Sequence, residues 1–168
     1  NEKLSWEQLW SSNLALHLGF VHRFNVDFEL YNKLTTNMLM LVPQSYANNG
    51  FGQRWDNVGA MVNRGAELSA NLDVIRTENF AWNISGNASY NHNEITELYN
   101  GLDEYEMSGT STKLVVGHPV GEFYINRYAG VNPANGDALW YDKEGNITTE
   151  FRESDKVLIG KTYMAPWQ

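Results

Sequence analysis

The stretch NRGAELSANLDVI, residues 63–75, alternates with a strict period of two. Ala66, Leu68, Ala70, Leu72 and Val74 are apolar, while Gly65, Glu67, Ser69, Asn71 and Asp73 are small, polar or charged. Successive side chains of an extended strand point to opposite faces, so this run is a β-strand with one apolar face. It cannot be an amphipathic helix, whose apolar positions recur every three to four residues. The question it poses is whether the apolar face meets a protein core or lipid.

The same alternation recurs three times. Leu14, Leu16, Leu18 and Phe20 share a face, as do Phe24, Val26, Phe28 and Leu30. So do Phe80, Trp82, Ile84, Gly86, Ala88 and Tyr90. The pattern predicts strands at about 11–20, 24–33, 63–75 and 80–93. Each is close to the ~9–11 residues that a tilted strand needs to cross a bilayer. Short connections, VHR (21–23) and RTEN (76–79), predict two tight hairpins. A long connection, 34–62, separates the hairpins, and another extends from 95 to 168. Short turns at one end and long loops at the other is the asymmetry of outer-membrane barrels. Phe20, Phe24, Phe80 and Trp82 beside the short turns, with Tyr31 and Tyr90 at the far ends, suggest two aromatic girdles.

Composition bears on the same choice. The 168 residues carry a net charge of −8 and no cysteine. That argues against a nucleic-acid partner and excludes a disulfide framework or a thiol-ligated metal. There is no apolar run long enough for a membrane helix, which leaves a barrel open because its strands are only half apolar. Twenty asparagines, poor strand formers, indicate long polar loops and wet strand faces. The expected fold is all-β: about four antiparallel strands of a transmembrane β-barrel in residues 1–94, plus a long loop region over 95–168 with small hairpins. Turn signals at Asn135-Gly136 and Gly145-Asn146 and short extended pieces at 113–116, 122–128 and 138–141 place those hairpins. The alternative is a soluble β-sandwich, whose strands alternate in the same way. Scarce lysines on the polar faces and small residues (Ala66, Ala70, Gly86, Ala88) on the apolar ones favour the barrel.

No catalytic frame emerges. His17, His22, His92 and His118 lack metal-ligand spacing, and no nucleophile elbow is present. A spatial carboxylate pair needs no sequence spacing, so an enzyme fragment using Asp137 or Glu122 is the weakest alternative. The sequons at Asn83, Asn87 and Asn146 are coincidental in a bacterial barrel. No cofactor or metal is expected. The lumen-lining candidates are Asp27, Glu29, Arg64, Glu67, Asn71, Asp73, Asn83 and Asn87. Arg64 and Glu67 flank Gly65, which suits a close backbone approach or a bulge. The loop aromatics Trp55, Tyr124, Tyr128, Trp140 and Tyr141 are candidates for ligand stacking or partner contact, or simply pack the loops together.

Three blocks in order resemble the SusC/RagA-type TonB-dependent outer-membrane transporters of the Bacteroidetes. They are LSWEQLWSSNLALHLGF (4–20), NVGAMVNRGAEL (57–68) and VGHPVGEFYINRYAGVNPANGDALWYDKEGN (116–146). Ile125 departs from the glycine usual after the Phe-Tyr pair, and the acidic turn at 142–146 lacks the fuller series of a calcium loop. The resemblance implies import of oligosaccharides or peptides, powered through TonB, with a SusD-like surface lipoprotein as partner and outer-membrane lipid around the barrel. It implies loops facing the exterior of a Gram-negative cell. No plug, TonB-contacting segment or terminal aromatic strand is visible. The chain is therefore expected to be an internal, C-terminal-half piece that does not close a barrel by itself.

Overall fold

A computed structural model describes residues 4–21, 23–43, 52–57, 59–107 and 109–168. Four long strands dominate it: β1 (Gln8–Phe20), β2 (Phe24–Thr36), β5 (Ala60–Arg76) and β6 (Ala81–Glu97). They form one antiparallel sheet in the order β1-β2-β5-β6. The expected strands are all present, each longer than its alternating core. A short hairpin of β3 (Leu39–Pro43) and β4 (Gln53–Asn57) interrupts the 34–62 connection. Its alternation is too brief to stand out in sequence. His22, the middle of the first tight turn, lies outside the described residues, as does the stretch 44–51 within the long connection.

Register decides which side chains share a face. Pairing without a bulge from Phe24↔Leu72 to Thr35↔Met61 keeps β2 and β5 in phase. Even-numbered residues therefore line up as Phe20–Phe24–Leu72–Ile84, Leu18–Val26–Ala70–Gly86, Leu16–Phe28–Leu68–Ala88 and Leu14–Leu30–Ala66–Tyr90. These four apolar rows span about 20 Å along the strands. The odd-numbered face runs Gly19–Asn25–Asn71–Ser85, His17–Asp27–Ser69–Asn87 and Ala15–Glu29–Glu67–Ser89. A bulge between Asp73 and Ile75 then brings Ile75 opposite Trp82 near the short turn. That turn is sealed by Thr77, whose N–H and hydroxyl both donate to the Phe80 carbonyl while the hydroxyl accepts from the Phe80 N–H.

The apolar face is open. Leu14 is 68% exposed, Leu16 52% and Leu68 45%, and among the described residues no second sheet covers them. A β-sandwich requires that covering sheet, so the sandwich alternative fails on packing. The described residues do not close a barrel: β1 and β6 occupy the two edges of the sheet. The chain's last residues begin to cover the β6 edge, where Ser89 and Gln168 exchange two backbone hydrogen bonds and Asn91 donates to the Pro166 carbonyl.

Residues 98–168 form small antiparallel units. They are β7 (Glu104–Glu106) with β8 (Lys113–Val115), β9 (Glu122–Ile125) with β13 (Val157–Thr162), and β10 (Arg127–Val131) with β11 (Ala138–Tyr141) and β12 (Ile147–Thr148). A modest core of Ile95, Leu98 and Leu114, packed against Met40, Tyr105 and Val120, fixes some of them to the far end of β6. The Ile95 N–H donates to the His118 carbonyl, and the Gly117 N–H donates to the Ile95 carbonyl.

One sequence expectation is corrected here, and another is settled between its two alternatives. Tyr31 does not join a girdle with Tyr90, because it lies on the odd face, opposite Gly65. Gly65 makes no bulge. A Cβ there would sit 2.4 Å from the Tyr31 ring and 2.5 Å from the Tyr90 carbonyl, so the close approach is an aromatic ring laid over bare backbone. Gly65→Ala is therefore expected to destabilise the protein by about 1–3 kcal/mol through overpacking. Gly86→Ala, where nothing lies within 4 Å, leaves the unfolding midpoint unchanged. Thermal unfolding of the two variants checks this. Equal midpoints would contradict it.

Candidate functional site: the polar sheet face and its loops

Of the lumen-lining candidates, Asp27, Glu29, Glu67, Asn71, Asp73, Asn83 and Asn87 all lie on the odd-numbered face. Arg64 does not. An even number on the unbroken β5 register places it on the opposite face, between Asn32 and His92, and its Nε donates to Asn32 Oδ1 at 3.0 Å. It forms no pair with Glu67. Adjacency in sequence suggested a shared role, but two residues three apart on a strand point to opposite sides.

The polar face is knitted by side-chain hydrogen bonds. Asn83 Nδ2 donates to Asn71 Oδ1 (2.6 Å) and to Asp73 Oδ1 (2.8 Å). The Tyr31 hydroxyl donates to Asn91 Oδ1 (3.0 Å), and Asn93 Nδ2 donates to Asn63 Oδ1 (2.8 Å). Glu29 and Glu67 stand directly opposite each other, a repulsive arrangement for cross-strand neighbours. Asn13 relieves it by donating to Glu29 Oε1 at 2.9 Å, which turns that carboxylate toward β1. His17 pairs with Asp27 in the adjacent row. A shallow depression of about 250 Å³ lies among His17, Asp27, Glu29, Glu67 and Ser69. Amides and carboxylates at this density offer acceptors to hydroxyl or amide groups. Among the described residues, no His/Asp/Glu group is arranged to hold a metal ion.

The loop aromatics divide. Tyr128 and Trp140 meet edge to face at 5.5 Å, and Trp140 meets Phe151 at 5.0 Å. Arg127 lies over the Tyr141 ring at 5.3 Å, and its terminal nitrogen donates to the Asp142 carbonyl. Tyr124 carries the Lys113 ammonium at 4.7 Å, in a separate unit. Trp55 belongs to the β3–β4 hairpin and is 57% exposed. The five candidates therefore form no single platform. Phe151 joins the largest cluster, although nothing around it in sequence marked it as a partner.

Sequence reasoning also missed a buried anchor. Glu122 is 2% exposed. Its Oε1 accepts from the Gly160 N–H (2.9 Å), and its Oε2 lies 2.6 Å from His118 Nδ1. Asn93 Oδ1 accepts from the Val120 N–H at 2.7 Å, fixing the same loop to the sheet. With both oxygens engaged and buried, Glu122 is a structural pin and is not presented to a substrate. Asp137 is exposed, with Oδ2 accepting from Asn135.

The whole chain has clear counterparts. The family described as TonB dependent receptor-like, beta-barrel matches residues 1–164. The TonB-dependent receptor SusC of Bacteroides thetaiotaomicron is 32% identical over 96% of this chain, which covers 17% of that protein. A TonB-dependent receptor of Formosa agariphila is 36% identical over 78% of this chain and 12% of its own length. Among solved structures, the RagAB peptide importer in its open-open state superposes with a TM-score of 0.89 at 32% identity, covering 99% of this chain and 19% of that one. The chain thus spans less than a fifth of these relatives. The Arg64–Gly65–Glu67 strand and the 116–146 block fall inside the matched length.

Two outcomes follow for the loops. Glu122→Ala leaves the Gly160 N–H without its buried acceptor, a loss of about 1–3 kcal/mol. Faster amide exchange at Gly160 checks it, and unchanged protection would contradict it. Asp142 is the second case. Hydrogen bonds from the Asn146 side chain (3.0 Å) and backbone N–H (2.7 Å) hold its carboxyl below the usual range. A depressed folded value means that the turn's stabilisation is complete above the unfolded value and is lost as pH falls through the folded one. The Asn146 amide shift should accordingly titrate with a midpoint below that of an unstructured aspartate. A midpoint at or above it would contradict the assignment.

Proposed function

The chain belongs to the TonB-dependent receptor-like β-barrel family, in its SusC/RagA type, and from that premise we propose that it is wall and outer loops of an outer-membrane nutrient importer. The observation that carries the reading is the two-faced sheet: four apolar rows left open on one side, and a continuous amide and carboxylate surface on the other. In a barrel, the apolar rows meet acyl chains and the odd-numbered face lines the wet interior. Asp27, Glu29, Glu67, Asn71, Asp73, Asn83 and Asn87 then flank the solute path. The short turns face the periplasm, and the loops beyond residue 95, with the β3–β4 hairpin, face the exterior.

The cargo is an oligosaccharide or a peptide. Both are rich in hydrogen-bonding groups that suit an amide-lined path, and the RagAB neighbour is a peptide importer. Import is driven through TonB by parts of the protein outside this chain. A surface lipoprotein partner sits over the loops. The exposed rings of Trp55 and Tyr128 are the loop aromatics best placed to touch the partner or the incoming solute.

The test uses the full-length protein in cells. A cysteine at Ser69 is modified with a bulky, membrane-impermeant maleimide, and uptake of labelled peptide or oligosaccharide is followed. The expected result is loss of most TonB-dependent uptake after modification at position 69, with no labelling of a cysteine at Leu68. Undiminished uptake with position 69 fully modified would overturn the reading.

A further inference from the structure

The edge of β6 that faces away from β5 is paired at both ends and open in between. Ser89 exchanges two backbone hydrogen bonds with Gln168, and the Asn91 N–H donates to the Pro166 carbonyl. Toward the loops, Ile95 donates to the His118 carbonyl and accepts from the Gly117 N–H. In an antiparallel strand the N–H and C=O of alternate residues turn to the same edge, so those of Asn93 point this way too. Among the described residues neither has a partner there. The Asn91 carbonyl is also left over, because proline at 166 has no N–H to return.

Register shows how the gap arises. Continuing the ladder that sets Gln168 against Ser89 and Pro166 against Asn91 would bring Met164 opposite Asn93. Instead the Thr162 hydroxyl accepts from the Met164 N–H at 3.1 Å and donates to the Met164 carbonyl at 2.6 Å. Thr162 itself pairs with Glu122 on β9. The chain thus peels away from β6, and a hollow of about 500 Å³ opens beside Asn91 and Asn93, bounded by Pro119, Lys161 and Met164. The Asn93 side chain is occupied elsewhere, donating to Asn63 Oδ1 and accepting from the Val120 N–H, which fixes the main chain that faces the hollow. Lys161 is exposed and joins no ion pair among the described residues, and no carboxylate lines the hollow.

An unpaired N–H and C=O on one strand residue are a ready-made place for another extended chain. We propose that this hollow holds a short extended peptide, whose main chain pairs with the N–H and C=O of Asn93 and whose carboxylate end meets Lys161. One peptide residue supplies the C=O and the N–H that Asn93 lacks, at the spacing of an antiparallel pair. Such pairing reads the backbone and leaves the peptide's side chains free, so it tolerates many sequences. A lone ammonium in a hollow without acidic groups selects the free carboxylate of the peptide's end. The inference deepens the importer reading above and rests on it for the nature of the cargo.

The experiment follows amide hydrogen exchange at Asn93 in the purified full-length protein. The probes are trialanine, its C-terminal amide, its analogue methylated on both peptide nitrogens, and maltotriose. Trialanine is expected to slow exchange at Asn93, and the amide to do so at concentrations about fivefold higher. Lys161→Gln should bring trialanine to the level of its amide. The methylated analogue, which has no peptide N–H to donate, and maltotriose should leave Asn93 unprotected. Absence of protection by trialanine, equal protection by the methylated analogue or by maltotriose, or an unchanged response in Lys161→Gln would each overturn the site. Peptide uptake after modification at position 69 separates the two claims. Blocked uptake with Asn93 unprotected refutes the site alone, while undiminished uptake refutes the importer path and with it the assignment of this hollow to cargo.

Discussion

Everything in this structure depends on cross-strand register. Strands of period two expose a coherent face only if their neighbours are in phase, and a slip of one residue would send every apolar side chain to the other side. Here β1, β2, β5 and β6 hold phase through 12–13 consecutive pairs in the first two ladders. The result is a surface of Leu14, Leu16, Phe28, Leu68 and their neighbours that nothing among the described residues covers. Burying such a surface is worth about 25 cal/mol per Å². A stable environment must supply that burial, and under the proposed orientation the environment is lipid.

The same register explains details that look unrelated. Glu29 and Glu67 are forced into opposition, and Asn13 answers by binding one of them. Gly65 leaves bare backbone, and Tyr31 covers it from the neighbouring strand. Arg64, three residues before Glu67, is sent to the far side, where it aligns with Asn32 and His92 in a polar row. Beyond that row the sheet ends against a small core around Ile95, Leu98 and Leu114, and the loops are tied down by hydrogen bonds from Glu122 and Asn93. The packed end and the short-turn end are thus chemically distinct.

What the sequence made legible follows from the range of the signal. Alternation over 8–12 residues is local, so the four long strands and their two tight hairpins could be read directly, and so could the Asn135-Gly136 and Gly145-Asn146 turns. The β3–β4 hairpin, β12 and β13 are not among the pieces the sequence marks, β13 because its partner β9 lies far away along the chain. Glu122 stands in the sequence only as a carboxylate of the weakest, enzymatic alternative, because its acceptor role depends on Gly160, thirty-eight residues away. Phe151 was overlooked for the same reason, being held by Trp140 across a hairpin. Arg64 and Tyr31 were avoidable errors: parity alone separates Tyr31 from Tyr90. Parity alone also contradicts a shared face of Arg64 with Glu67, but the motif around Gly65 drew the two together.

The central claim is that even-numbered residues meet acyl chains and odd-numbered ones meet water. Its most direct test places single cysteines at Leu68 and Glu67 of the full-length protein in native membranes, each carrying an environment-sensitive probe. The account predicts that position 68 is quenched by a lipid-phase quencher and position 67 only by a water-soluble one. Shielding of both positions from lipid would show that protein covers the apolar face, and the importer wall would be the wrong description of this sheet.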